Sequence, residues 1–584
     1  MRKARLRFCV ALFGTALMLA GTVQSAAGVS PPFDTRKDAM LVPITPRGWV
    51  DPLVTVGDMI GTYQFDALPD GISVRSGAPG TMQAFINHET STVPFPYTVG
   101  ATGEANQNDF SNAKVSRLTI NRTSAKITAA FAVIKSSRNF QRFCSNFLAG
   151  STQGFSRPLL LTNEEAVDWV NRSGQAWPAT EGSPSARQAG VVVAYDPATG
   201  VSRPIWGMGR LNHENALPVP GYGKPVVLTG DDTFVNSPAQ SQLYSYIARS
   251  ASALWSDTGR LWAFVSNDPT KQGYEDFPRG STASITGHFI LVPKIIATGR
   301  NADGSDLMGA QAAAALGVPA SDYAVPTNGS FSRPPGVPGN PPDSTSPSVD
   351  GPQWVLERWS QLHHVFKFIR LEDMAYDKRV GQGNVVYIVD SGRGSSGATA
   401  DGKSTNGRIW RMILSKTDPT KVTSLRILIE GDDNEVKTRS EIHQPDNIES
   451  TLNGLLITED PGSSQQFNFT DPAQVNDPRR TEARIWQYRF INRSLRVVAR
   501  VDQSADEGPT DVDAASRGAL GAWEASGIID VSRWFGAGNF LVTVQAHTLW
   551  VAKDTPTDGV GHEGQPFTYK REGGQVLLLH IPGG

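Results

Sequence analysis

Carboxylates and amides gather in short loops at matching places along this chain. They stand in Thr162-Asn163-Glu164-Glu165, in Gly209-Arg210-Leu211-Asn212-His213-Glu214, in Arg370-Leu371-Glu372-Asp373-Met374 and in His443-Gln444-Pro445-Asp446-Asn447-Ile448. The last three each precede an apolar strand by a similar distance, and the first closes its own strand in acids. Brought together, Glu164, Glu165, Glu214, Glu372, Asp373, Asp446 and Asn447 would form an oxygen-rich cluster. Carboxylates crowded in that way repel unless they are protonated or neutralised by cations. Such donors suit hard divalent ions, and calcium takes more ligands and tolerates less regular geometry than magnesium. Zinc-type spacing is lacking, because His213 is alone in its loop and His363-His364 has no second well-spaced partner. Taken singly, a Glu-Asp pair is more often a solvated turn, Asp231-Asp232 after Gly230 is equally turn chemistry, and His88 and His213 read as strand caps. The argument for a shared site is the recurrence at one place in successive units.

The elements that must position these groups are β-strands. Six apolar runs end in acids or amides: Met82–Glu89, Leu159–Glu165, Val226–Asp232, Val385–Asp390, Leu455–Asp460 and Phe540–Gln545. A second apolar strand follows each of them. A repeated multi-strand unit of this kind predicts an all-β chain folded as a six-bladed β-propeller, which aims the same end of every blade at one axis. The exception lies at 296–353. There an Ala-rich helix is expected over Asp306–Leu316, stopped by Gly317, and is followed by a Pro-rich stretch that cannot form a ladder. This segment reads as an insertion over one face of a single domain spanning 28–584.

Bulk properties exclude little. The 584 residues carry 54 basic and 56 acidic side chains, so net charge favours neither nucleic acid nor an anionic membrane. A basic start, an apolar Phe8–Val23 and the small residues of Gln24-Ser25-Ala26-Ala27 read as a secretory signal over 1–27, which predicts a secreted or periplasmic protein without stable membrane association. No Arg pair precedes the apolar stretch. Cys144 is then the sole cysteine of the mature chain, which leaves no intramolecular disulfide, and between Phe143 and Phe147 it reads as a small buried hydrophobe.

The ordered set Asn87-His88-Glu89, Thr162–Glu165, Gly209–Glu214, Gly230-Asp231-Asp232, Arg370–Met374 and Pro445–Ile448 resembles the signature of the PhoX-type alkaline phosphatases. The resemblance runs from about residue 80 to 460. It implies a six-bladed propeller that binds several calcium ions and, in active phosphatases, a pair of irons near the axis. Position by position, it implies Glu214 and Glu372 as metal ligands, Glu164 and Glu165 as calcium or shared ligands, Asp446 and Asn447 as a further ligand position, and Arg370 as the clamp on a substrate phosphate. Two features depart from the family. Asn163 stands where the family's thiolate iron ligand is placed, and an amide cannot replace a soft anionic sulfur, so iron is put in question and calcium is left as the expected metal. The signal also lacks the twin-arginine pair of the family's export route.

The expected function is that of a secreted, metal-dependent phosphomonoester hydrolase, with Arg370 and Glu372 catalytic and a small phosphorylated substrate, acting as a monomer. A non-catalytic calcium-stabilised propeller and a calcium-dependent ester or lactone hydrolase are the alternatives. No Gly-x-Ser-x-Gly elbow surrounds Ser526, so a serine hydrolase has no support. Glu524 is one more candidate for the channel.

Overall fold

Leu159–Glu164, Val226–Asp231, Val385–Asp390 and Gly454–Glu459 are buried at every position. Their β-branched and Leu-rich runs lack polar alternation because both faces are covered by neighbouring sheets. Strands further out are partly solvated: Ala129 and Phe131 of Ile127–Ile134 and Lys421 and Thr423 of Lys421–Glu430 are exposed. Each unit therefore runs from a buried interior to a half-solvated edge. The computed structural model describes residues 33–89, 113–138, 140–166, 169–171, 186–233, 239–323, 351–393, 405–432, 441–460, 481–505, 523–552 and 567–584. The expected signal at 1–27 and the Pro-rich part of the insertion lie outside the described residues.

The strands form antiparallel meanders. Six of them head a meander: β1 (Pro69–Ser76), β2 (Phe143–Ala149), β3 (His213–Pro218), β4 (Leu371–Tyr376), β5 (Pro445–Ser450) and β6 (Glu524–Asp530). β1, β2 and β6 each begin a four-stranded sheet, and β5 begins a five-stranded one. The meanders of β3 and β4 are joined into a ten-stranded sheet through Ile285–Leu291 and Lys421–Glu430, where separate units were expected. Each heading strand packs on the next, and β6 packs on β1. The result is an all-β, propeller-like arrangement. Leu41–Pro43 and Trp49–Thr55 add outer strands to the sheets headed by β5 and β6, so an early segment is hydrogen-bonded to the last sheets of the chain.

Apolar clusters fill the spaces between sheets. In one of them Phe277, Phe366 and Phe368 meet Trp410 edge-on, with ring centroids 5.1–6.2 Å away. In the insertion the helix runs Gly309–Leu316, three residues later than expected, and ends at Gly317 (φ +69°). A second helix, Gly351–Leu362, crosses the expected boundary at 353. Its Val355, Leu356 and Trp359 bury against Ile296, Ala312 and Tyr244. The sequence around Pro352 reads as loop because the amphipathic residues that drive this helix begin only after it. Among the described residues no helix is long and apolar enough to cross a membrane.

Candidate metal centre and active site

The recurrent acids fall into two structural classes. The first closes the second strand of a meander. Glu164 accepts the backbone N–H groups of Gln141 (2.8 Å) and Val191 (3.2 Å). Asp231 accepts Asn212 N–H at 3.1 Å, Asp390 accepts Ile369 N–H at 2.9 Å, and Glu459 accepts His443 N–H at 2.8 Å. In each of these units a donor lies in the loop that leads into the heading strand, while Val191 precedes the third strand of its meander. Buried backbone N–H groups need acceptors, and a strand-end carboxylate supplies one in each of these four units. Repetition of these acids thus follows from backbone satisfaction. Glu164, expected as a metal ligand, uses both carboxylate oxygens as backbone acceptors.

The second class sits on the heading strands, and all of those strands are bulged at the same end. The ladder register slips between Pro69 and Ile72, His213 and Ala216, Leu371 and Met374, Pro445 and Ile448, and Ala525 and Ile528. In the sheet of β2 it slips opposite Cys144-Ser145, across from Asn163. A bulge leaves residues unpaired and re-aims their side chains. The first bulged residue of each strand is Asp70, Cys144, Glu214, Glu372, Asp446 or Ser526. The second is Gly71, Ser145, Asn215, Asp373, Asn447 or Gly527. At Gly71 a Cβ would meet the backbone of Ser145 and Asn146 at 2.6 Å, so only glycine lets β1 approach β2 this closely.

The first bulged residues converge. Ligating atoms of Cys144, Glu165 and Glu214 lie within 4.8 Å of one another, as do those of Asp70, Glu89 and Cys144. Cys144 Sγ is 2.6 Å from Glu165 Oε2, and Ser145 Oγ donates to Glu214 Oε1 at 2.8 Å. Burial, then the charges of Asp446, Glu165 and Asp70, push the Glu214 carboxyl well above its ordinary range. Burial and Asp232 do the same to Glu372, burial with Glu372 and Asp460 to Asp446, and burial with Asp460 to Glu524. The cluster therefore holds protons unless cations replace them. Gln545 Nε2 donates to Glu89 Oε1 at 2.8 Å, and Arg142 Nε lies 3.9 Å from Glu89 Oε2.

Arg370 adopts a left-handed backbone (φ +54°) at the entry to β4. Its Nε and Nη2 grip Asp232 at 3.2 and 2.9 Å, and Nη2 is 3.2 Å from Glu372 Oε1. Arg370, expected as a phosphate clamp, thus stands beside Glu372 with its fork turned to the carboxylate of Asp232. Ser391 Oγ donates to the same Glu372 oxygen at 2.6 Å.

Asp373 and Asn447, also expected as ligands, occupy the second bulge position. Asp373 accepts N–H groups from Met374 (2.7 Å) and Ile448 (3.1 Å) and the amide of Asn215, and lines a cavity of about 540 Å³. Burial pushes its carboxyl up to about 7. The Asn447 amide bridges Ser145 Oγ (3.2 Å) and Ser526 Oγ (3.3 Å), steadying the serine that holds Glu214. Glu165, Glu214, Glu372, Asp446 and Arg370 act on one another within one cluster, Asp373 adds its charge to Asp446, and Glu164 and Asn447 are held by hydrogen bonds.

Asn163 is no ligand-for-ligand replacement of a thiolate. Its amide nitrogen donates to Ser145 O at 2.8 Å, while its buried Oδ1 has no partner among the described residues. A thiol does lie close by, that of Cys144 on the neighbouring strand across the bulge. Cys144 is buried as expected, yet it faces carboxylates rather than aromatics. Its position, together with Asp70, Glu89, Asp232 and Asp460, went unassigned in the sequence. The signal that reveals it is the alignment of Phe143-Cys144-Ser145-Asn146 with His213-Glu214-Asn215-Ala216 and Leu371-Glu372-Asp373-Met374. The donors fit metal: hard carboxylates for a divalent cation, and one soft sulfur within reach of them.

Comparison with curated proteins gives no match. The family model described as Alkaline phosphatase PhoX matches residues 161–484, which spans β3, β4 and β5 with Glu165, Glu214, Arg370, Glu372 and Asp446. That match covers more than half of the 584 residues, and the chain belongs to the PhoX alkaline phosphatase family.

Proposed function

We propose that this protein is a metal-dependent phosphomonoester hydrolase working at the axis of a six-bladed propeller, the ten-stranded sheet being two blades joined along their outer strands. The observation that carries the reading is the convergence of Cys144 with Glu165 and Glu214 on one side and with Asp70 and Glu89 on the other. A phosphate dianion is repelled by so many buried carboxylates, so the cluster suits this substrate only when cations hold it. Calcium on the carboxylates, and iron reaching the Cys144 sulfur, would supply the positive charge that neutralises the cluster and polarises phosphoryl oxygens. Cys144 would offer iron the soft sulfur that Asn163 cannot.

The chain's own groups then have defined tasks. Glu165, Glu214, Glu372 and Asp446 are the ligand carboxylates, and Ser145 and Ser391 orient Glu214 and Glu372 through their hydroxyls. Arg370, held by Asp232 and adjacent to Glu372, presents a planar cation to non-bridging phosphate oxygens. The N-terminal sequence supports export to the periplasm or medium. The testing experiment offers the mature protein, loaded with calcium and iron, a panel of phosphomonoesters, carboxylic esters and lactones. Phosphomonoester turnover that falls on the order of 100-fold in Glu372→Gln is expected. Metal-loaded protein that cleaves only the esters or lactones, or nothing, overturns the assignment.

A further inference from the structure

The helical insertion touches both loops that carry the Cys144-linked carboxylates. Gln353, at the start of the helix Gly351–Leu362, donates its side-chain amide to Ala166 O at 2.7 Å and to Ala189 O at 3.1 Å. Ala166 directly follows Glu165. The Gln353 backbone N–H donates to Gln188 Oε1 at 3.0 Å. On the other loop, Arg210 opens the run that ends in Glu214. Its fully buried guanidinium meets Asp306 of the insertion at 3.2 and 3.5 Å and also donates to Gln188 O. Asp306 Oδ2 in turn accepts Gln188 N–H at 2.7 Å.

These contacts close into one network, and they are tight. Gly190 (φ +84°) stands where the two loops and the helix meet, and a Cβ there would come within 2.3 Å of both Leu211 O and the Gln353 amide. Asp306 and Gln353 themselves lie outside the acid cluster. The physical need for such a device is plain. Glu165 and Glu214 are buried beside one thiol with their ligating atoms within 4.8 Å of one another, and like charges at that separation repel, so without restraint their loops gain by moving apart. Groups that orient ligating carboxylates from behind tune metal affinity by roughly 10- to 100-fold.

We infer that the insertion is a brace for the metal centre: Asp306 and Gln353 are positioning residues that hold the loops of Glu214 and Glu165 at the spacing a cation requires. The inference rests on the metal-dependent reading proposed above. It predicts that binding of metal and docking of the insertion stabilise one another.

The test uses the full mature chain, stripped with chelator and titrated with calcium by calorimetry, with iron content measured after reconstitution. Gln353→Ala should weaken calcium binding or lower iron occupancy about tenfold or more while circular dichroism stays that of the parent. Removing Asp306 alone strands a buried Arg210 and endangers folding, so the second variant is the apolar pair Arg210→Met with Asp306→Leu, which keeps the volume without a lone charge. It should show the same weakened binding. A structural role alone is separated by repeating Gln353→Ala in a Glu165→Gln background, where little further loss is expected because the carboxylate it positions is gone. Parent-like affinity, within twofold, in both variants overturns the brace. So does an undiminished loss in the Glu165→Gln background. A parent that binds metal but cleaves no phosphomonoester overturns the proposed function and leaves the brace standing, whereas a parent that takes up no metal overturns both.

Discussion

The thiol of Cys144 lies 2.6 Å from Oε2 of Glu165, and the same sulfur is grouped with Asp70 and Glu89, so one side chain joins two carboxylate groups. Without metal, burial and then Glu165 and Glu214 hold the thiol well above its ordinary proton affinity. A serine in its place keeps an oxygen but lacks the soft anion. Cys144→Ser should therefore lose iron while retaining calcium, as read by elemental analysis of reconstituted protein. Equal iron in variant and parent would show that the sulfur is not a ligand.

Glu164 and Glu165 are neighbours with opposite tasks. Glu164→Gln weakens two backbone acceptor bonds and is expected to lower unfolding stability by about 1–3 kcal/mol with metal content unchanged. Glu165→Gln removes a repelling buried carboxylate, so metal-free stability should rise and metal affinity should fall. Chemical denaturation with and without chelator checks both.

The carboxyls of Glu214, Glu372, Asp446 and Glu524 all have folded-state proton affinities above their unfolded values. The folded metal-free state then binds more protons, and its stability is lost as pH rises through the folded values. Chelator should accordingly destabilise the protein more at pH 8 than at pH 5. A cation at a hundred times its dissociation constant restores about 2.7 kcal/mol per site. Thermal unfolding at the two pH values, with and without calcium, measures this.

Arg370 makes a two-point contact with Asp232 that a lysine cannot reproduce. Arg370→Lys should keep the fold and metal content but raise KM and lower kcat for phosphomonoesters. Arg370→Ala leaves Asp232 and Glu372 buried without their cation and should cost about 3–5 kcal/mol in the metal-free protein. Steady-state kinetics and denaturation separate the two effects.

Glu357, on the helix Gly351–Leu362, is pushed up to about 7 by burial, against the opposing hydrogen bond from Gln361 at 3.0 Å. Its folded value lies above the unfolded one near 4.3, so the stability of the neutral form is present at low pH and lost as pH rises to about 7. Glu357→Gln should flatten that loss and gain at most about 4 kcal/mol at pH 8, against about 1 kcal/mol at pH 5. A variant with the parent's pH slope would show that Glu357 does not titrate in this window.

Much of this protein is written locally. Runs such as Val385–Asp390 declare a buried strand by composition alone, and Ala310–Leu316 before Gly317 declares a short helix. Glu214, Glu372 and Asp446 were legible because they recur at one distance ahead of a strand. What only the tertiary structure decided is which acids face one another. A two-residue strand period assigns Glu164 and Glu372 equal standing, but the bulge at the head of each sheet turns Glu372 inward while the ladder turns Glu164 to the backbone of the loop that leads into β2. The thiol of Cys144 reads as core filler until β2 is laid beside β1 and β3, because a bulge is a misfit between two strands and neither strand records it alone. Local sequence sets strand and turn chemistry through short-range sterics and burial; the direction of a side chain at the axis depends on pairing partners dozens of residues away.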